Sequence, residues 1–324
     1  MMRPTEDRPL RVVELFAGIG SQRMALELLG IPHEVVAISE INKQSIRTYE
    51  AIHGPTPNLG DIYNIEHLPE CDLLTYSFPC TDISIAGRQE GMEEGSGTRS
   101  SLLWEVGRLL ADMVNRDVPP SALLMENVDA IVNNTFMPSF RRWISRLTDL
   151  GYSSSYAVLN ACDFVIPQHR RRCFMVSARD GLVFEFPKGE PTDLCLGDVM
   201  DVSVPESYYL SDEKVAGFIP AENRVADSRG IVIDGDLNDP KNLDIWNRVY
   251  SPDGISPTIT ALSGGGTVPR VNVGRGGGVA TSFGRGGKHP QRSETGWCGP
   301  QHVRSLSGPQ SRRKSSSCSG FQEV

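Results

Sequence analysis

Cys80 stands directly after a proline in CDLLTYSFPCTDIS, residues 71–84, where an apolar run breaks off. A thiol at such a place can serve as a nucleophile once ionised. A free thiol has a pKa of about 8.5, so a cationic or helix-terminal field has to favour the thiolate. The plain alternative is a small buried hydrophobe, the usual role of a cysteine in a reducing compartment. A structural cysteine fits more naturally inside the run, where Cys71 stands, whereas TDIS after Cys80 reads as an exposed loop. Glu126 and Asn127 close a second apolar run, SALLMEN, and a carboxyl there can carry a proton or simply face solvent. Three arginines follow in IPQHRRRCFMV. If a strand begins there, alternation sends Arg170 and Arg172 to one face and Arg171 to the other. Such a triplet is a solvated patch unless an anion has to be held.

These residues need elements to position them. RVVELFAGIGSQRMALELLG reads as a strand, a glycine turn and an amphipathic helix closed by Gly30; HEVVAISE is a strand ending on Glu40, and INKQSIRTYEAIHG a helix ending on Gly54. Short apolar strands at CDLLTYSF and SALLMEN alternate with helices at SLLWEVGRLLADMVNR and FMPSFRRWISRLTDLG, before β-rich runs at YSSSYAVLNA and RCFMVSA. Near-continuously apolar strands alternating with helices predict an α/β domain, a doubly wound and mostly parallel sheet over about residues 9–184. In such a sheet ligands sit at the carboxyl ends of the strands. Cys80 and Glu126 fall on that edge, as does Asp61 in LGDIYN.

Gly18 and Gly20 lie between the first strand and its helix, where the backbone can approach a ligand, although glycines in such turns also serve packing alone. Glu40, about twenty residues on, suits a ribose diol. A pyrophosphate would favour three glycines and an open helix start. A single G-x-G beside Phe16 suits an adenosine without phosphates, as in S-adenosylmethionine.

With 324 residues, 39% hydrophobic and 22% charged, the chain has the composition of a globular enzyme. No apolar run nears the ~20 residues of a membrane span, and MMRPTEDRPLR has no apolar stretch behind its charges, so a cytoplasmic protein is expected. Seven cysteines at irregular spacing, with no CxxC pair or nearby histidine ladder, argue against disulfides and a metal site alike. The net charge of −8 is uneven. Residues 265–324 hold nine Lys/Arg against two Asp/Glu, a net +7, which leaves −15 on the rest. A nucleic-acid partner would need local basic clusters.

Taken together, the pieces resemble the C5-cytosine DNA methyltransferase family. ELFAGIG, Glu40, Asp61, SFPCTDIS with AGRQEG, ENV, PQHRRR and RVYSPDGISPTIT follow in the family's order over residues 11–265. The resemblance implies a Rossmann-like, S-adenosylmethionine-dependent enzyme acting on double-stranded DNA, a monomer, with any cognate restriction endonuclease acting separately. Cys80 would add to C6 of a flipped-out cytosine, Glu126 would hold N3 and the exocyclic amine, and Arg170 and Arg172 would contact the target nucleotide. Phe16, Gly18, Gly20, Glu40, Ile41, Asp61 and Pro79 would line the cofactor site, with Leu102 closing it. The loop over 81–99 would close on DNA, with Ser84 and Arg88 meeting phosphates. Residues 1–184 would form the catalytic and cofactor-binding domain, 185–247 the target-recognition region, 248–273 the return to the catalytic domain, and 274–324 a basic, disordered, low-complexity tail.

Two departures stand out. Thr81 and Ile83 replace the family's usual glutamine and phenylalanine. The expected closing helix and Gly-Asn motif are not found before the final residues, which read as a truncated or frame-shifted end, or else as a basic DNA-binding arm. The rival readings are therefore a DNA-binding relic with an incomplete cofactor pocket and a cytosine-5 methyltransferase acting on RNA.

Overall fold

The computed structural model describes residues 4–83, 91–201, 204–240, 247–259, 269–273 and 279–281, all within one compact unit, Met1–Phe283. Ser84, Arg88 and nearly all of the basic tail lie outside the described residues.

Six strands form the main sheet: β1 Leu10–Leu15, β2 His33–Ser39, β3 Leu73–Tyr76, β4 Ala122–Val128, β5 Ser153–Asn160 and β6 Arg171–Ala178, in the order β2-β1-β3-β4-β6-β5. β2, β1, β3 and β4 run parallel, whereas β6 is antiparallel to both β4 and β5. The sheet is thus doubly wound and mostly parallel, as expected. The chain goes from β1 to β2 on one side and then crosses to β3 on the other, so the strand order reverses between β1 and β3. Such a reversal opens a crevice at the carboxyl ends.

Helices α1 Ser21–Leu28, α2 Lys43–His53, α3 Leu103–Asn115 and α4 Met137–Asp149 make the connections. Asn42 caps α2 by accepting from the Gln44 and Ser45 N–H groups, and Gly54, at φ +81°, ends it in a conformation that favours glycine. Pro138 fits the first turn of α4, where no N–H donor is needed. The core lies between the sheet and α3 and α4, with Leu74, Leu109, Met113, Phe140, Trp143 and Met175 fully buried. Trp143 donates to the Tyr76 hydroxyl at 3.2 Å and packs edge-on against Trp104. Each such side chain contributes roughly 1.5–3 kcal/mol by burial.

Beyond β6 the elements are short. The one-turn helix α5 Asp212–Val215 precedes a five-stranded sheet of β7 Ile219–Pro220, β8 Ile233–Asp236, β9 Arg248–Tyr250, β10 Arg270–Asn272 and β11 Val279–Thr281, in the order β11-β10-β9-β8-β7. Segment 256–259 then runs beside the arginine motif. The His169 N–H donates to the Ser256 carbonyl and the Ser256 N–H to that of Pro167, both at 2.8 Å, while the Thr258 hydroxyl donates to the His169 carbonyl at 2.6 Å.

Candidate active site

The two loops that flank the strand-order reversal carry the glycine turn, after β1, and Cys80, after β3. Gln22, in the first turn of α1, ties them by donating to the Ser77 hydroxyl at 2.9 Å.

Phe16 has φ +56° and Gly18 φ +57°. An aromatic residue rarely adopts that region, so the turn stores strain. Nothing lies within 4 Å of where a Cβ on Gly18 would stand, so its backbone conformation is what calls for glycine, and that side of the turn is open. Glu40, just past β2, holds the turn through three backbone donors: Gly18 N–H at 2.8 Å on one oxygen, Ile41 and Asn42 N–H at 2.9 and 2.8 Å on the other. The carboxylate is fixed, with acceptor capacity to spare on the first oxygen. Asn58, which the sequence reading passed over, accepts from the Glu40 and Gly60 N–H groups and donates to the Glu40 carbonyl, and so brings the loop of Asp61 to that of Glu40. Asp61 itself accepts from the Tyr63 N–H at 3.1 Å. The Ile41 side chain is exposed.

Cys80 lies four residues past β3 and is half-buried. Its turn is fastened to the 3-10 helix Arg99–Leu102: the Ser100 hydroxyl donates to the Pro79 carbonyl at 2.8 Å, and the Ser100 N–H to the Asp82 carboxylate at 3.0 Å. Asp82 and Ile83 are both buried, and Ile83 makes a turn back to the Cys80 carbonyl. Leu102, at the end of the same 3-10 helix, packs on the core, as do Phe16 and Cys80.

Glu126 and Arg172 form an ion pair at 3.1 Å across the antiparallel β4–β6 ladder. Arg171 goes to the other side, to Asp129 at 3.2 Å, as strand alternation predicts. Arg170 is anchored by segment 256–259, donating to the Ile259 carbonyl at 3.2 Å. Asn127 donates to the Phe78 carbonyl at 2.9 Å and so ties β4 to the residues before Cys80.

Arg172, Arg170 and Glu126 all act electrostatically on Cys80. Burial nevertheless dominates and pushes the thiol up. Arg172, the cysteine's own N–H and Arg170 pull it back down, and Glu126 adds to the rise. The cationic field anticipated from the sequence is present but does not outweigh desolvation in the free protein. Burial and the like charge of Arg172 in turn disfavour the charged form of Arg170.

The sequence matches the family model of the C-5 cytosine-specific DNA methylases over residues 10–279. The type II methyltransferase M2.ScrFI of Lactococcus lactis subsp. cremoris is 35% identical over 263 residues, 64% of this chain and 72% of that protein. The orphan methyltransferase M.SssI of Spiroplasma monobiae is 33% identical over 314 residues, 78% of this chain and 80% of that one. Among solved structures, the S. pombe Dnmt2 methyltransferase shares the fold with a TM-score of 0.56 at 19% identity, over 82% of this chain and 76% of that one. With the match running from β1 to the start of β11, this chain belongs to the C-5 cytosine-specific DNA methylase family.

Proposed function

We propose that the protein transfers a methyl group from S-adenosylmethionine to C5 of a cytosine in double-stranded DNA through a covalent adduct on Cys80. The observation that carries this reading is the convergence of Arg172, Arg170 and Glu126 on Cys80 at the strand-order reversal, one loop away from a glycine turn held by Glu40. The open side of Gly18 and the spare acceptor capacity of Glu40 suit an adenosine with a free ribose diol. The bound cofactor supplies an electrophilic methyl on a sulfonium.

Cytosine C5 is too weak a nucleophile to take that methyl unaided. The Cys80 thiolate adds to C6, and the ring becomes an enamine with a nucleophilic C5. Glu126 holds N3 and the exocyclic amine and delivers a proton to N3 as the sulfur adds. Arg172, paired with that carboxylate, keeps it aimed, and Arg170 steadies the negative charge on sulfur. Water then takes the C5 proton, the C–H electrons re-form the C5–C6 double bond and expel the Cys80 thiolate, and the N3 proton returns to Glu126, which releases 5-methylcytosine. A stacked base cannot reach this crevice, so the cytosine is flipped out at a cost of a few kcal/mol. Residues 185–247 read the target sequence.

Incubating the protein with methyl-labelled S-adenosylmethionine and duplex DNA, and separately with structured RNA, tests the proposal. Label on C5 of DNA cytosine is expected, with an adduct to 5-fluorocytosine mapping to Cys80. Label confined to RNA would move the substrate, and label in neither would favour the relic.

A further inference from the structure

Behind the glycine turn lies a buried polar cluster with no part in the scheme above. Glu14, next to the carboxyl end of β1, is fully buried. One of its carboxylate oxygens accepts from the Tyr49 hydroxyl at 2.6 Å and the other from the Arg23 N–H at 3.2 Å. The Arg23 guanidinium spans α1 and the end of α2, donating to Glu27, to Thr56 and to the His53 carbonyl. Tyr49 packs against the His53 ring at 4.7 Å between centroids. The His53 side chain has no exposed surface and sits against Gly20: a Cβ there would come within 2.5 Å of Nε2. Gly20 is at φ +77°, so both its backbone and its neighbour exclude a side chain.

Both ring nitrogens of His53 face acceptors. Nδ1 is 3.1 Å from a Glu27 carboxylate oxygen, and Nε2 is 3.2 Å from the carbonyl oxygen of Ile19, inside the turn. A neutral imidazole has one N–H and can satisfy only one of them. The imidazolium donates to both. His53 is also the last residue of α2, where the helix end favours a cation. The charged and titratable groups around it are Glu27 and Arg23 on α1, Glu14 on β1 and Tyr49 on α2.

We propose that His53, seated on the Glu14–Tyr49–Arg23 cluster, is a positioning residue for the cofactor: its Nε2–H holds the Ile19 carbonyl and fixes the strained Phe16–Gly20 turn in its binding conformation. The inference rests on the reading of that turn as the S-adenosylmethionine site. A turn that must be ordered on binding costs affinity, and one already held does not.

The two amide replacements separate the ring nitrogens. Glutamine at 53 can place an N–H near the Nε2 position and asparagine near that of Nδ1. Calorimetric titration of the full chain with S-adenosylmethionine should give His53→Gln an affinity within about threefold of the unchanged protein, and His53→Asn one about tenfold weaker, the worth of one buried hydrogen bond. The two variants should melt alike. Equal binding by all three proteins, or equal weakening of both variants, overturns the proposal. No binding by the unchanged protein overturns it together with the cofactor reading, and so tells the two failures apart.

Discussion

The two sheets of this molecule are built on different terms. In the six-stranded sheet, β1, β3, β4 and β6 bury side chains completely on a core that includes Trp143, Phe140, Tyr76 and Tyr152. The strands of the five-stranded sheet are two to four residues long, and their buried cluster consists of Leu237 and Val249, flanked by Leu210, Val215 and Phe218. There, polar turns take over from apolar packing: Asp227 accepts from the Arg229 and Ile231 N–H groups, Asp234 pairs with Arg224, and Asp198 closes on the Cys195 N–H. A close-packed core holds side chains in place and tolerates little change. A surface set by turns can vary in sequence without loss of its frame. On the proposed reading, a fixed reaction and a variable recognition surface call for these two kinds of support.

The strongest way to break this division is at Cys80. Replacing it with serine should lower methyl transfer by at least about 10³-fold, since a hydroxyl is a far poorer nucleophile. The melting temperature should shift by less than about 2 °C, because the residue is half-buried and the exchange nearly isosteric. Turnover comparable to the unchanged enzyme would remove Cys80 from the chemistry. Next in size is a contrast in stability. Trp143→Ala should cost about 3–5 kcal/mol by denaturant unfolding, and Val249→Ala, in the small cluster, about 2 kcal/mol or less. Equal losses would mean that the second sheet is packed as tightly as the first.

That contrast also explains what the sequence disclosed. β1, β3 and β4 are nearly continuous apolar runs because a parallel sheet covered on both faces leaves them no solvent side. Cys80 and Glu126 are visible because they follow or close such a run, and Arg170 and Arg172 because they open the apolar run of β6. Glu14 was not singled out, since an acid within ELFAGIG gives no sign that Tyr49, 35 residues on, will meet it. The clamp of Asn58 on Glu40 and that of Ser100 on Asp82, each across 18 residues, are likewise set by tertiary packing. The direction in which Cys80 shifts was out of reach too, because it depends on how far burial outweighs two arginines. In the second sheet, strands of two to four residues are too short to show a period of two, and only RGIVID and RVYSP left a trace, as β8 and β9.

Exchange of residues 185–247 for the matching region of a relative with a different target sharpens the division from the other side. Sequence preference should follow the exchanged region, by about 1–3 kcal/mol for each base pair read differently, while the rate on the preferred site stays of the same order. Competition between two duplexes measures it. An active chimera with its preference unchanged would place recognition elsewhere.

The smallest effect tests whether the main sheet positions charge as well as mass. Cys173 and Cys80 both feel the carboxylate of Glu126, and at Cys173 burial, with Glu126 and Asp129 adding to it, pushes the thiol up to about 12. Cys80 is also raised by burial, yet Arg172 is the largest influence drawing it down. A thiol raised in this way holds less thiolate at neutral pH than a free cysteine, and its thiolate fraction keeps growing as pH climbs past the ordinary thiol range. Alkylation of Cys80 by iodoacetamide, followed by peptide mass, should therefore still accelerate above about pH 9. Removing the cation removes the downward pull. Arg172→Gln should move the profile further to alkaline pH and slow alkylation at pH 8 by a few-fold, while Cys173 stays unreactive in both proteins. An unchanged Cys80 profile in the variant would mean that Arg172 aims Glu126 without acting on the sulfur, and the charge converging on the thiol would then have to come from Arg170 and the backbone.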